Sequence, residues 1–189
     1  SKALWKKMWE YKDHGKSYEA VYERKHPQGF RWLHESFGTN GRMTEMQAGI
    51  GRIQLNRMQD WQRKRLNNAN SIWNAAKECR LFRVPEIPDY IEHAAYKCYI
   101  FVNGDSNLRD KIMSQINDKG VPCYSGACSE IYLEKAFDNN NLRPKNRLKN
   151  AKKLGETSLM FLVHPTLTKK EIQKTCEVLK EVSTYNLND

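Results

Sequence analysis

Long apolar runs are missing from this 189-residue chain. No stretch approaches the roughly 18 consecutive apolar residues that a membrane-spanning helix needs, so we predict no membrane span. The first residues include Trp, Lys and Glu where a secretory signal would place an apolar segment, so we expect no secretory leader. The balance of 39% hydrophobic and 29% charged residues is typical of a globular domain that buries a core.

Paired cysteines are also missing. The five cysteines are odd in number and scattered, and no C-x-x-C pair occurs. Zinc sites normally supply closely paired ligands, so we predict no metal site, although Cys123 and Cys128 are near each other in the chain. Neither of the two has a recognisable base partner that would make it a nucleophile. We expect buried free thiols in a cytoplasmic protein, because reducing compartments keep such thiols free.

Basic residues are in excess and give the chain a formal net charge of +10. This charge permits a competing interpretation, a nucleic-acid-binding protein with phosphate contacts at residues 63–65 and 143–153. The basic residues are dispersed among acids, however, and no recognised nucleic-acid motif accompanies them. We therefore expect a solvated helix face at residues 63–65 and no nucleic-acid partner.

A helix start follows the most informative segment of the chain, residues 37–47. Thr44 and Gln47 are spaced as in a capping box, in which each side chain satisfies a backbone N–H that the first helical turn leaves unpaired. Apolar residues then recur with helical period to about residue 79. The sequence therefore predicts a long helix, or two helices with a bend, over residues 44–79.

A polar loop immediately precedes that helix. Gly38 and Gly41 permit backbone angles that a side chain would forbid, so the loop can bring the Asn40 amide and the Arg42 guanidinium together toward an anionic group. Short loops of this composition are common, and an ordinary helix entry is the alternative.

Alternating strand and helix patterns follow the long helix. Residues 96–102, 121–124 and 159–163 are strand candidates, and a helix before Gly120 separates the first two. Residues 139–150 are polar and predict a surface loop, while a second capping box at Thr168 and Glu171 opens the final helix. The pattern predicts an α/β fold with a small sheet covered on one side.

A resemblance to a known family rests on three blocks of sequence. Residues 38–51, GTNGRMTEMQAGIG, closely resemble the signature of the DegT/DnrJ/EryC1/StrS sugar aminotransferases, which use pyridoxal phosphate. Residues 13–16 before this block and residues 155–168 after it agree in the same order. The similarity covers essentially the whole chain but only the second half of the family's sequence.

The resemblance also implies what the chain lacks. The family's catalytic lysine, which forms a Schiff base with the cofactor, and the aspartate that pairs with the pyridine nitrogen both lie upstream of the matching blocks. We therefore assign no catalytic residue here, and interpret the chain as the C-terminal portion of a longer enzyme, inactive alone. In fold terms, the resemblance implies the small domain of a fold-type I aminotransferase: a mostly antiparallel sheet packed by helices, after a long interdomain helix.

Domain bounds follow from the same resemblance. Residues 1–43 would end the large cofactor-binding domain and carry the active-site loop, residues 44–80 would form the bridging helix, and residues 81–189 would form the small α/β domain. The family further implies a homodimer in which the loop reaches the neighbouring subunit's cofactor.

Three site residues follow from the family. Asn40 would donate its amide to the cofactor phosphate, and Arg42 would bind the carboxylate of an amino donor such as glutamate. His164 would contact substrate or cofactor. The alternatives are an ion pair with Glu45 or a helix-surface charge for Arg42, and a satisfied structural role for His164. Residues 123–130 would line a sugar pocket.

The reaction that the resemblance implies transfers an amino group to a keto sugar, which in the family is nucleotide-linked, for polysaccharide or secondary-metabolite biosynthesis. A non-catalytic interaction domain of the same fold is the alternative that the sequence leaves open.

Overall fold

A computed structural model describes residues 1–25, 33–137 and 143–187, without the side chains of Ala136 and Leu187. The chain forms two compact units, Ser1–Asn56 and Arg57–Asp189. The predicted division at residues 43 and 80 stays a prediction. No helix in the described ranges is long and apolar enough to cross a membrane.

The first unit begins with two helices, α1 (Lys2–Lys12) and α2 (Tyr18–Tyr22). Serine side chains cap both, since Ser1 Oγ accepts from Leu4 N at 3.3 Å and Ser17 Oγ from Ala20 N at 3.0 Å. An aromatic cluster joins the two helices, with ring centroids 4.8–6.0 Å apart, and consists of Trp5, Trp9, Tyr18 and Tyr22.

The predicted long helix forms as one unbroken element, α3 (Glu45–Lys77). Its capping box is made, with Gln47 N donating to Thr44 Oγ1 at 3.3 Å and Thr44 N donating to Gln47 Oε1 at 3.0 Å. All its buried residues lie in the last third of the helix: Ala69, Ile72, Trp73, Ala75 and Ala76. The apolar side chains of the first half, such as Met46, Ile50 and Ile53, are exposed.

The second unit contains a four-stranded sheet of β1 (Phe82–Arg83), β2 (Cys98–Val102), β3 (Cys123–Tyr124) and β4 (Ser158–Phe161). The strand order is β1-β2-β4-β3, and every pair is antiparallel. Ile100 lies opposite Leu159 at the centre. Alternate residues of β2 are buried, so one face of the sheet carries the core.

In its described residues this unit also contains the α-helices α4 (Ser106–Asp118), α5 (Lys149–Thr157) and α6 (Lys169–Leu187), and two 3₁₀ helices at Ile131–Leu133 and Lys135–Phe137. The capping box of α6 is made, with Thr168 N donating to Glu171 Oε2 at 2.7 Å and Glu171 N to Thr168 Oγ1 at 3.3 Å. One core joins the end of α3, the sheet, α4 and α6, and includes Ile72, Ile100, Ile112, Ile116, Leu159, Phe161 and Leu179. The predicted α/β class and antiparallel sheet are confirmed.

Two elements depart from the sequence prediction. Strand β1 was not among the strand candidates, and it forms because Phe82 pairs with Val102 of the neighbouring strand β2. Helix α5 begins at Lys149, inside the predicted 139–150 loop, of which residues 139–142 lie outside the described ranges. Its C-terminal end is held by Arg109, whose Nη1 donates to Gly155 O at 2.9 Å and to Ser158 O at 3.2 Å.

Candidate functional site

A loop over residues 36–42, here called the 36–42 loop, caps the C-terminal end of α1. The last carbonyls of a helix lack partners within it. Here Thr39 N donates to Tyr11 O at 2.7 Å, and Gly41 N donates to Lys12 O at 2.9 Å. In a third hydrogen bond, His14 N, in the turn after α1, donates to Thr39 O at 3.1 Å. The 36–42 loop is thereby attached to a rigid element on both sides of Asn40.

Glycines allow this attachment by permitting close approach. A Cβ on Gly38 would lie 2.5 Å from Gly15 N and 2.6 Å from Tyr11 O, closer than side-chain carbons come. The reason that we expected from sequence was wrong, because neither Gly38 nor Gly41 has a positive φ. The positive angles belong to the facing turn, with φ of 58° at His14 and 87° at Gly15.

Asn40 lies at the exposed centre of the 36–42 loop. Its backbone bridges to Asp13, and its side-chain Oδ1 accepts from Arg42 N at 3.4 Å. This short-range bond orients the amide, as in an Asx turn. Within the described ranges, no group accepts a hydrogen bond from the Asn40 NH₂. A donor is therefore held in place and is available to a ligand.

Arg42 pairs with Asp13 and not with Glu45, the partner that the sequence suggested as an alternative. Its Nη1 contacts Asp13 Oδ1, and Lys16 Nζ lies 3.9 Å from the same oxygen. The Asp13 side chain is 14% exposed and that of Arg42 is 48% exposed. A covered carboxylate thus holds one end of a guanidinium that remains half open to solvent.

His164 lies in the second unit, after β4. Its Nδ1 shares a hydrogen bond of 2.6 Å with Thr166 Oγ1, and its carbonyl accepts from Leu167 N at 3.1 Å and from Asn68 Nδ2 at 3.4 Å. One ring nitrogen is therefore satisfied within the turn before α6. The substrate role of His164 stays a prediction beside this structural one.

The predicted sugar-pocket segment, residues 123–130, is positioned by Tyr99. Its hydroxyl accepts from Ala127 N at 3.2 Å, and Gly126 packs against its ring, where a Cβ would lie 2.4 Å from Cε1. Gly126 also has φ of 91°, which favours glycine. The segment therefore has a defined shape that depends on one tyrosine.

Glu130, at the end of that segment, is the most perturbed carboxyl in the described part of the chain. Arg147 and then Tyr132 donate hydrogen bonds to it, and these lower its pKa to about 2. The sequence placed Glu130 at the end of the predicted sugar-pocket segment and Arg147 in the basic stretch 143–153, but it predicted no pairing between them. No local signal marks them, because Arg147 is 17 residues away in the chain.

The cysteines follow the expectation of buried thiols only in part. Cys79, Cys98 and Cys123 are buried and Cys176 is partly buried, but Cys128 is exposed, so the expectation was wrong for Cys128. Across residues 1–25, 33–137 and 143–187, no group of three or more His, Cys, Asp or Glu side chains could hold a metal ion.

The basic run at residues 63–65 has local partners. Arg63 Nη2 and Lys64 Nζ lie 2.7 and 2.9 Å from the two oxygens of Asp60, and Arg65 Nη1 donates to Tyr96 O at 3.3 Å. These contacts favour the helix-surface interpretation over a phosphate-binding one.

Sequence reasoning proposed Asn40 and Arg42 as site residues but did not identify Asp13, which contacts both of them. Asp13 belongs to a block that the sequence singled out, yet no pairing could be assigned to it. The sequence signal that could have identified Asp13 is its position directly before His14 and Gly15, because these two residues form the turn that brings Asp13 beside the 36–42 loop.

Comparisons with known proteins identify a family and a fold. The family model described as the DegT/DnrJ/EryC1/StrS aminotransferase family matches residues 1–180. The structure of an aminotransferase from Psychrobacter cryohalolentis is 54% identical, with a TM-score of 0.87, over 100% of this chain and 51% of that chain.

More distant proteins are also similar. The erythromycin biosynthesis sensory transduction protein EryC1 of Saccharopolyspora erythraea is 25% identical over 150 residues, 79% of this chain and 40% of that protein. The Helicobacter pylori aminotransferase PseC, involved in the biosynthesis of pseudoaminic acid, is 19% identical with a TM-score of 0.76 over 98% of this chain and 47% of that chain. This chain thus spans about half the length of the relatives it matches.

Proposed function

The chain belongs to the DegT/DnrJ/EryC1/StrS aminotransferase family, and on that premise we propose that the whole protein is a pyridoxal-phosphate-dependent sugar aminotransferase. It transfers an amino group from glutamate to a nucleotide-linked keto sugar, as a cytoplasmic homodimer. The observation that carries the proposal is the pairing of an oriented amide donor, Asn40, with a half-exposed guanidinium, Arg42, on one loop.

The residues of the 36–42 loop fit part of the cofactor. Pyridoxal phosphate, when bound, supplies the electron sink for amino transfer. Phosphate oxygens are strong acceptors, and the Asn40 NH₂ has no acceptor within the described ranges, so this group would hold the phosphate. The lysine that bonds to the cofactor is assigned to the upstream half of the protein.

Arg42 would act on the second anion of the reaction, the carboxylate of the amino donor. A guanidinium carries five N–H donors in one plane and suits a carboxylate better than a point charge does. Because Arg42 N also holds the Asn40 side chain, a shift of either residue would disturb both contacts. The two residues would therefore act as one positioning element.

The test uses the full-length reading frame that contains this chain. The absorbance spectrum is recorded with and without glutamate for the parent, for Asn40→Ala and for Thr39→Ala. Thr39 is a matched control because it holds the loop through its backbone. We expect a long-wavelength cofactor band that glutamate bleaches, and about tenfold weaker cofactor retention in Asn40→Ala alone, as for a lost hydrogen bond to a charged group.

Other outcomes separate the alternatives. A parent without the band would overturn the enzyme proposal and leave the non-catalytic interaction domain as the better account. If Asn40→Ala retains the cofactor as well as the parent does, only the proposed phosphate contact of Asn40 is wrong.

A further inference from the structure

The turn after α1 brings Asp13 to both candidate residues of the 36–42 loop, its backbone to Asn40 and its carboxylate to Arg42. His14 and Gly15 have successive positive φ angles of 58° and 87°, and this reverses the chain directly after Asp13. No residue with a side chain fits at position 15, since a Cβ on Gly15 would lie 1.7 Å from Ser36 O. A left-handed non-glycine residue costs about 1 kcal/mol or more, so the turn is maintained by the contacts that it makes.

Asp13 makes two of those contacts by different means. Its backbone bridges to Asn40, and its carboxylate pairs with the Arg42 guanidinium. The carboxylate is largely covered, and a covered ion pair is screened less by water than an exposed one. Within the described ranges, no other group pairs with the Arg42 side chain.

We propose that Asp13 is a positioning residue, which holds the Arg42 guanidinium in the orientation that binds the carboxylate of the amino donor. The inference rests on the proposed function of Arg42. Asp13 engages Nη1 alone, and the planar guanidinium keeps further N–H donors for a second carboxylate. The ion pair with Asp13 therefore orients the Arg42 guanidinium and leaves its other N–H donors available.

Lys16 keeps this arrangement attractive to anions. Its Nζ lies 3.9 Å from Asp13 Oδ1, so two cations are near the same carboxylate oxygen. The formal charges of Asp13, Arg42 and Lys16 sum to +1. Asp13 can thus fix Arg42 while the group as a whole still favours a bound carboxylate.

The experiment uses the full-length protein and two readouts of donor binding. One is the glutamate concentration that half-maximally bleaches the cofactor band, and the other is the rise in melting temperature with glutarate, a dicarboxylate without the amino group. The variants are Asp13→Asn, Asp13→Ala, Arg42→Ala and the double variant Asp13→Ala/Arg42→Ala. Asp60→Ala is the matched control, because Asp60 also pairs with an arginine.

We expect Asp13→Ala to raise the half-saturating glutamate concentration about tenfold, while the maximal rate of bleaching stays close to that of the parent. The rise in melting temperature with glutarate should be smaller than in the parent. Asp13→Asn, which keeps an acceptor and the side-chain shape, has a smaller effect and remains readable where Asp13→Ala fails to fold. In the double variant, loss of Asp13 adds nothing to loss of Arg42. Asp60→Ala leaves both readouts unchanged.

Two failures are distinguishable. An Arg42→Ala variant that binds glutamate and glutarate like the parent overturns the donor role of Arg42 and, with it, the inference. If Arg42→Ala weakens binding while both Asp13 variants bind like the parent, only the positioning role is wrong. Tighter donor binding by the Asp13 variants also overturns it, because Asp13 would then compete with the donor for Arg42.

Discussion

Arg147 and Glu130 form a two-bond ion pair, with Nε to Oε1 at 2.9 Å and Nη2 to Oε2 at 2.5 Å. Tyr132 extends the pair: its hydroxyl donates to Glu130 Oε1 at 2.6 Å and accepts from Leu148 N at 2.9 Å. The network joins the end of the 123–130 segment to the residue before α5. It therefore holds both the candidate sugar-pocket segment and a helix that has few apolar residues of its own.

This network predicts an acid-sensitive contribution to stability. The pKa of Glu130 falls from an ordinary 4.5 to about 2 in the folded protein, because Arg147 and Tyr132 bond to its ionised form. Because the pKa of Glu130 is lower in the folded protein than in the unfolded chain, ionised Glu130 stabilises the fold fully above about pH 4.5. This stabilisation is lost as the pH falls toward about 2. We expect the difference in urea-unfolding free energy between parent and Glu130→Gln to shrink from pH 6 to pH 3. A difference that stays constant would contradict the pairing, and Glu134→Gln serves as control.

Two glycines are predicted to respond to alanine in opposite directions. Gly126→Ala introduces a Cβ 2.4 Å from the Tyr99 ring at φ of 91°, and we expect a loss of about 1–3 kcal/mol. Gly49 is helical with no neighbour within 4 Å of an added Cβ in the described ranges. Gly49→Ala should therefore stabilise this chain by up to about 1 kcal/mol, measured by urea unfolding. Destabilisation by Gly49→Ala would instead mean that another backbone packs there.

Thiol labelling should separate the cysteines by burial. Cys128 is exposed, whereas burial raises the pKa of Cys123 to about 12 and raises that of Cys98 further. We expect iodoacetamide at pH 8 to modify Cys128 first and to reach Cys98 and Cys123 only after unfolding, as read by peptide mass spectrometry. Cys128→Ser should remove the fast phase. Equal rates at Cys123 and Cys128 in the folded protein would contradict the described burial.

The capping box of α6 gives a local test of stability. Thr168→Ala removes the side chain that accepts from Glu171 N, and we expect a loss of about 1 kcal/mol in thermal or urea unfolding. Thr175→Ala, in the interior of the same helix, removes a hydroxyl that bonds only to Glu171 O and should cost much less. Equal losses in the two variants would argue against the cap.

Local features were predictable because their causes lie within a few residues. The capping boxes at Thr44 and Thr168 are three-residue hydrogen-bond patterns, and both are made as expected. The helical period before Gly120 and the apolar run at β4 likewise reflect burial that each segment signals alone. The choice of Asn40 and Arg42 came from resemblance, and their roles stay proposals.

Features that depend on distant partners were not predictable. Helix α5 has only two apolar residues, Ala151 and Leu154, and its end is held by Arg109, 46 residues from Gly155. The short strand β1 exists because β2 lies beside it. The pKa of Glu130 depends in the same way on an arginine 17 residues away.

By itself, the sequence determined the long helix, the helix before Gly120, the final helix, three of the four strands and the loop that carries the candidate donors, since hydrogen-bond spacing and apolar period are encoded locally. The tertiary structure decided how those donors are held. Two positive φ angles at His14 and Gly15 place Asp13 against Arg42, across 29 residues of chain. Such a pairing depends on where the folded backbone places two charges, and no spacing along the chain encodes that position.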